Sequence, residues 1–381
     1  MEKPIFRRKI YNDILAWKEN RSDKYALLIK GARRVGKTVL INRIAEDYHG
    51  KISILNGEDQ TTAALLANRT ASNFRHLFSD TDLLIIDEAQ HIPDIGMVLK
   101  LIVDEVPGIS VIASGSSSFD LQNKAGEPLV GRSYEFQLFP LSVKEILTTT
   151  TRVEFMKTLE WQLLYGGYPE LTSLPQAERK QRYLTEIVQA YLLKDILVVD
   201  GIKNSGKMMQ LLQLLAYQVG SEVSYEEIAG KLSLSRNTVE KYIDLLQKTF
   251  VIYRLPAYSR NARKEVSKPG KIYFTDNGIR NAVIGDFRPL AIRQDVGALW
   301  ENYLISERRK KQHNNGILSK HYFWRTYSGQ EIDLVEETNG EIAAFEFKWG
   351  QRMPKVPSGF AELYPNAPYT VINQTNLLEF V

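Results

Sequence analysis

The stretch "YALLIKGARRVGKTVLINRIAEDYH", Tyr25 to His49, decides the fold. An apolar run of strand character passes into a glycine-bounded turn and then into an amphipathic helical pattern. The turn "GARRVGKT", Gly31 to Thr38, satisfies G-x-x-x-x-G-K-[ST] in full and stands between a strand and a helix, the context that motif requires. Gly31, Ala32, Arg33, Arg34, Val35 and Gly36 can present backbone N–H groups to phosphate oxygens at the start of a helix. Lys37 reaches the outer phosphates, the Thr38 hydroxyl is a hard oxygen ligand for Mg2+, and Val39 continues the helix beside the same site. The expected ligands are ATP and Mg2+. The alternative, a glycine turn with a chance lysine, is disfavoured by the strand and helix on either side.

Further strand-like runs, "KISILN", "DLLIIDEA" and "ISVIASGSSS", alternate with helical patterns and predict a parallel α/β sheet. "LLIIDEAQ" puts Asp87 and Glu88 directly after an apolar strand. Asp87 is expected to hold Mg2+, and Glu88 to orient or deprotonate the attacking water. An acidic helix start favoured by the helix dipole would be the better reading only if the pair stood alone. Ser114 or Ser116 would sense the terminal phosphate, or else form a Ser/Gly turn. Arg132, in "LVGRSYEFQLFPLS", either reaches the nucleotide of a neighbouring subunit in a homo-oligomer, stabilising phosphoryl charge, or forms a plain salt bridge.

The chain has 381 residues, which at roughly 150 per domain suggests two or three domains. No segment approaches the roughly 18 to 20 uninterrupted apolar residues of a membrane helix, so no membrane partner is expected. Charges thread the first twenty residues, which gives no sign of an export signal. The absence of cysteine excludes disulfides and thiolate metal sites and fits a cytoplasmic location. A net charge of +4 is too small to argue for nucleic acid by itself.

Beyond Leu141 helical patterns take over, to about Leu215. Then "SYEEIAGKLSLSRNTVEKYIDLLQKTFVIYRL" reads as two short helices and a β-like run. Ser224 with Glu227 fits a capping box, and Ser235 is the expected N-cap of the second helix. Val239, Tyr242 or Ile243, and Leu246 form its buried stripe. Arg236, Asn237, Glu240 and Lys241 are left outward. Arg236 and Asn237 could read base edges and Lys241 hold phosphate, with Arg260, Arg263, Lys264, Lys268 and Lys271 extending a basic surface. Glu240 weighs against that, and a protein contact is the competing reading.

In "GQEIDLVEETNGEIAAFEFKWG", Gly329 to Gly350, Asn339-Gly340 is a strong two-residue hairpin turn. Counting outward pairs Asp333 with Glu346 and Glu331 with Lys348 on one face, and puts Ile332 and Leu334 against Phe345 and Phe347 on the other. Opposed Asp333 and Glu346 repel unless a cation lies between them, and Mg2+ suits hard carboxylates. Lys348 could then help activate a water or steady a phosphate. The other reading is an ion-pair network on a solvated sheet face.

Taken in order, "GARRVGKT", "LLIIDEAQ", "ASGSSS", "GRSYEFQLFPLS", "YGGYPEL" and "YLLKDI", followed by "ENYLISE", resemble the AAA-type ATPases of bacteria and archaea that carry a C-terminal domain of unknown function, DUF4143-like. The resemblance covers nearly the whole chain. It implies a P-loop NTPase parallel sheet in residues 1–140, a helical lid in 141–215, a winged helix-turn-helix in 216–288 and an α/β PD-(D/E)xK nuclease-like domain in 289–381. It also implies ATP binding and hydrolysis and supplies no substrate. "EID" followed by "EFK" is similar to the PD-(D/E)xK pattern, with Asp333, Glu346 and Lys348 at the matching positions. Glu301 resembles that fold's helix-borne acidic residue.

Overall fold

The computed structural model describes residues 6–21, 25–116, 129, 131–192, 205–259 and 270–381. Arg260, Arg263, Lys264 and Lys268 of the expected basic surface, and "LKDI" of the motif "YLLKDI", lie outside the described residues.

The N-terminal half is built on five parallel strands in the order β2-β3-β4-β1-β5. They are β1 (Ala26–Lys30), β2 (Ile52–Asn56), β3 (Leu83–Asp87), β4 (Ser110–Gly115) and β5 (Ser133–Gln137). A parallel sheet is covered on both faces, so its central strands read as continuous apolar runs rather than alternating ones. β1 shows this: Leu27 and Ile29 enter the main core, while Ala26 and Leu28 enter a second core on the opposite face. That second core is closed by the helix Ile95–Glu105, whose Val98, Leu99 and Ile102 are fully buried.

Helices fill most of the described residues between Val143 and Tyr217. Two more, Tyr225–Leu232 and Arg236–Lys248, are joined by a three-residue turn in which Ser233 is left-handed. Ser224 and Ser235 cap them, accepting from the N–H groups of Glu227 and Thr238 at 3.3 and 3.1 Å. The expected stripe is buried, and both Tyr242 and Ile243 belong to it. An antiparallel pair follows, β6 (Ile252–Leu255) with β7 (Lys271–Phe274).

The long helix Val296–Asn314 then leads to a four-stranded sheet ordered β11-β10-β9-β8, from β8 (Lys320–Arg325), β9 (Glu331–Thr338), β10 (Glu341–Phe347) and β11 (Tyr369–Ile372). Asn339 and Gly340 have φ of 52° and 85°, and Thr338 pairs with Glu341, so turn and register match the hairpin read from sequence. The apolar face does not. Tyr322 pairs with Val335 but Trp324 with Ile332, a one-residue shift that makes a bulge in β9. Beyond it Ile332 turns to an outer cluster with Trp324, Val335 and Phe360, while Leu334 and Phe347 join the main core. Among the described residues no helix is long and apolar enough to cross a membrane.

Candidate functional site

The phosphate-loop residues leave the C-terminal end of β1, which lies between β4 and β5. Gly31 has no room for a side chain, since a Cβ would lie 2.3 Å from the Leu138 carbonyl oxygen. Arg34 and Gly36 have positive φ, 66° and 98°. Such alternation of hand curls a chain so that its N–H groups converge. Gly36 caps the helix Lys37–Glu46 with no side-chain hydrogen bond, leaving the first-turn N–H groups for an anion. Lys37 is buried, and its ammonium donates to the carbonyls of Gly31 and Ala32 at 3.0 and 3.1 Å.

Strand order brings the carboxylates to this loop. β4 lies between β1 and β3, and the end of β3 carries Asp87 to the first turn of the helix, where the Thr38 hydroxyl donates to it at 2.8 Å. The other Asp87 oxygen accepts from the Ser114 hydroxyl and from the Glu88 N–H, the latter at 3.0 Å. Ser114, expected to sense the terminal phosphate, here gives its hydroxyl proton to Asp87. Ser116 is buried just past the end of β4. Glu88 is left-handed, φ 49°, and its carboxylate accepts from the Gln90 side-chain amide. Thr38 and Asp87 offer hard oxygens side by side, a donor set that fits Mg2+.

Arg132 stands elsewhere. Its carbonyl accepts from the Ala26 N–H at 2.9 Å, at the start of β1. The strand, about 13 Å long at roughly 3.3 Å per step, separates it from its own phosphate loop. Its guanidinium pairs with Asp104 at 2.7 Å. The structure therefore shows the salt bridge and excludes action on its own nucleotide.

Sequence reasoning missed several residues that shape this site. A cavity of about 550 Å³ opens beside Gly36, lined by Phe6, Tyr11, Val39, Leu40, Leu141 and Pro169 together with Arg7 and Arg8. Its apolar walls and cationic rim suit a flat heteroaromatic ring next to the phosphate loop. Gly57 sits so close to Glu88 that a Cβ would meet its carbonyl at 2.3 Å.

The C-terminal carboxylates do converge, but on lysine. The Lys271 ammonium, 3% exposed, contacts Glu301 at 3.2 Å and Glu331 at 2.5 Å, and Tyr273 donates its hydroxyl proton to Glu301. Burial acts to lower the Lys271 pKa, and Glu301, Glu331 and Asp333 outweigh it, so the net shift is upward. Burial, then Glu301 and Glu346, push the Asp333 carboxyl well above the usual range, against Lys271. Asp333 accepts from the Phe347 N–H at 2.8 Å, and Lys348 pairs with Glu346 at 2.6 Å rather than with Glu331. Among the described residues no group of three or more His, Asp or Glu side chains is disposed to hold a metal ion. Within the expected metal set of Asp333, Glu346 and Glu301, two ammonium groups supply positive charge in this structure, Lys271 beside Glu301 and Lys348 beside Glu346. Lys271, read earlier as a phosphate-facing surface residue, is a core cation.

Of the outward residues expected on the helix Arg236–Lys248, Arg236, Asn237, Glu240 and Lys241 are exposed, and Arg236 pairs with Glu226 at 3.0 Å.

Three family descriptions match the chain: "AAA domain" over residues 23–147, "Domain of unknown function (DUF8612)" over 156–289, and "Domain of unknown function (DUF4143)" over 296–380. Similar proteins include an uncharacterized protein of Mycobacterium tuberculosis, 26% identical over 325 residues, covering 84% of this chain and 70% of the relative. Another, from Haemophilus influenzae, is 25% identical over 312 residues and covers 75% of each. Among solved structures, a Walker-type ATPase of Pyrococcus abyssi superposes with a TM-score of 0.50 at 16% identity, covering 73% of this chain and 96% of that one. The likeness of fold and the domain matches together support an AAA-type, ATP-binding ATPase domain followed by a DUF4143 domain.

Proposed function

We propose that this chain binds ATP with Mg2+ at Gly31–Thr38 and hydrolyses it. The observation that carries the reading is the contact of Thr38 with Asp87, whose next residue is Glu88. Mg2+ held by Thr38 and Asp87 would neutralise charge on the outer phosphates. The loop N–H groups and Lys37 grip the phosphates, and the cavity beside Gly36 receives the base. Glu88, steadied by Gln90, takes a proton from the attacking water.

The test compares wild type with Glu88→Gln and Lys37→Ala in steady-state ATPase and equilibrium ATP-binding measurements. Turnover in Glu88→Gln should fall by about 100-fold or more with binding retained, and Lys37→Ala should lose binding. Equal turnover in wild type and Glu88→Gln would overturn the hydrolytic part, and unchanged binding in Lys37→Ala would overturn the site.

A second reading concerns what the nucleotide controls. The helix-turn-helix and its antiparallel pair resemble a winged helix, and the exposure of Arg236, Asn237 and Lys241 supports nucleic-acid contact there. The lysine-filled carboxylate cluster supports a C-terminal sheet that acts as a scaffold, whatever its nuclease-like ancestry. Arg132 lies away from its own phosphate loop and pairs with Asp104, so action on a neighbouring subunit's nucleotide would require it to leave that carboxylate.

A further inference from the structure

Arg8 is 9% exposed, so its guanidinium must find acceptors inside the protein. It finds three. Nε contacts Glu145 at 3.0 Å, Nη1 donates to the Val35 carbonyl at 2.9 Å, and Nη2 donates to the Phe139 carbonyl. Val35 belongs to the phosphate loop. Its carbonyl and the Gly36 N–H share one planar peptide unit, so holding the carbonyl toward Arg8 turns that N–H the opposite way.

Glu145 is itself held. It accepts from the backbone N–H and hydroxyl of Ser142 at 2.9 and 3.0 Å, and from the Lys9 N–H at 3.1 Å. In the same turn the Val143 N–H donates to Glu307 at 2.8 Å. Lys310 joins Glu307, at 2.7 Å, to the Leu141 carbonyl, at 3.2 Å. Glu307 and Lys310 are each 3% exposed and stand on the helix Val296–Asn314, whose matched family is distinct from that of the phosphate loop. A buried ion pair is a costly way to hold two backbone groups. This one fixes Leu141 and Val143 on both sides of Ser142, and Leu141 also lines the cavity beside Gly36.

We infer that Arg8 is a positioning residue for the phosphate loop, and that Glu307 and Lys310 set its reach through the turn Leu141–Glu145, so that nucleotide affinity is coupled to the C-terminal helix. The inference rests on the loop being a nucleotide site.

The test is a double-mutant cycle in the full chain, read as the dissociation constant of the non-hydrolysable analogue adenylyl imidodiphosphate with Mg2+. Arg8→Lys should weaken binding about 10-fold and Glu307→Gln about 5-fold, within the range usual for coupled sites. Because both act on one turn, Arg8→Lys with Glu307→Gln should cost clearly less than the product of the two. Thermal unfolding without nucleotide identifies any variant that fails to fold, and Lys310→Met then takes the place of Glu307→Gln. A C-terminal variant that binds as wild type does, or effects that simply multiply, would overturn the coupling. Wild type that fails to bind, or Lys37→Ala that binds equally well, would instead overturn the nucleotide site itself.

Discussion

The Thr38 hydroxyl donates to Asp87 across 2.8 Å, joining residues 49 positions apart in the chain. Asp87→Asn keeps an acceptor for that hydroxyl and removes the charge. ATP turnover should therefore fall by about 100-fold or more, whereas ATP binding measured in EDTA should be unchanged. Isothermal titration with and without Mg2+ checks this. Weakened binding in EDTA would show that Asp87 shapes the loop and does not serve the metal.

The phosphate loop was legible because its chemistry is local: glycines, lysine and hydroxyl occupy consecutive positions between two strongly patterned elements. The hairpin was legible for the same reason, since Asn339-Gly340 fixes its register. What stayed hidden depends on long-range geometry. Nothing near Arg8 in sequence reveals that it meets Val35 and Glu145, 27 and 137 positions on. Lys271 reads like the basic stretch before it, and only the packing of β7 beneath Glu301 and Glu331 makes it a buried cation. The bulge in β9 carries no glycine or proline to announce it, so strict alternation misplaced Ile332.

Gly166 tests how closely "YGGYPEL" is fitted to the following region. It has φ of 75°, and a Cβ there would lie 2.0 Å from an Asp276 carboxylate oxygen. That carboxylate accepts from the Gly167, Gly278 and Ile279 N–H groups at 2.8, 2.9 and 3.2 Å. Gly166→Ala should cost about 3 kcal/mol or more, from strain at φ 75° and ψ −161°, a backbone region essentially reserved for glycine, plus displaced buried hydrogen bonds. Gly108→Ala, at φ 76° with nothing within 4 Å, should cost only about 1 to 2 kcal/mol. Urea denaturation of the two variants measures the difference, and equal costs would show that neither Asp276 nor the backbone at Gly166 resists the change.

Lys271 neutralises carboxylates that would otherwise face one another in the interior. Lys271→Met should destabilise the C-terminal region by about 3 to 5 kcal/mol, the usual cost of stranding a buried charge. Lys248→Met removes an ion pair to Asp244 whose partners are 45% and 51% exposed, and should cost about 1 kcal/mol or less. Denaturation midpoints decide the matter. Similar small losses in both would mean that water already reaches the cluster.

Asp295 supplies the dependence on pH. Burial acts to raise its pKa, but hydrogen bonds and charge from Arg293 and Arg280 prevail and hold it at about 2, below the roughly 3.9 of an unfolded aspartate. A carboxylate depressed in the folded state stabilises above its unfolded pKa, and that contribution is lost as pH falls through the folded one. The stability gap between wild type and Asp295→Asn should therefore be full at pH 6, about halved near pH 3 and nearly closed by pH 2. Urea midpoints at these three pH values measure it. A gap that stays constant down to pH 2 would assign Asp295 a packing role, with its charge contributing nothing to the hold on Arg280 and Arg293.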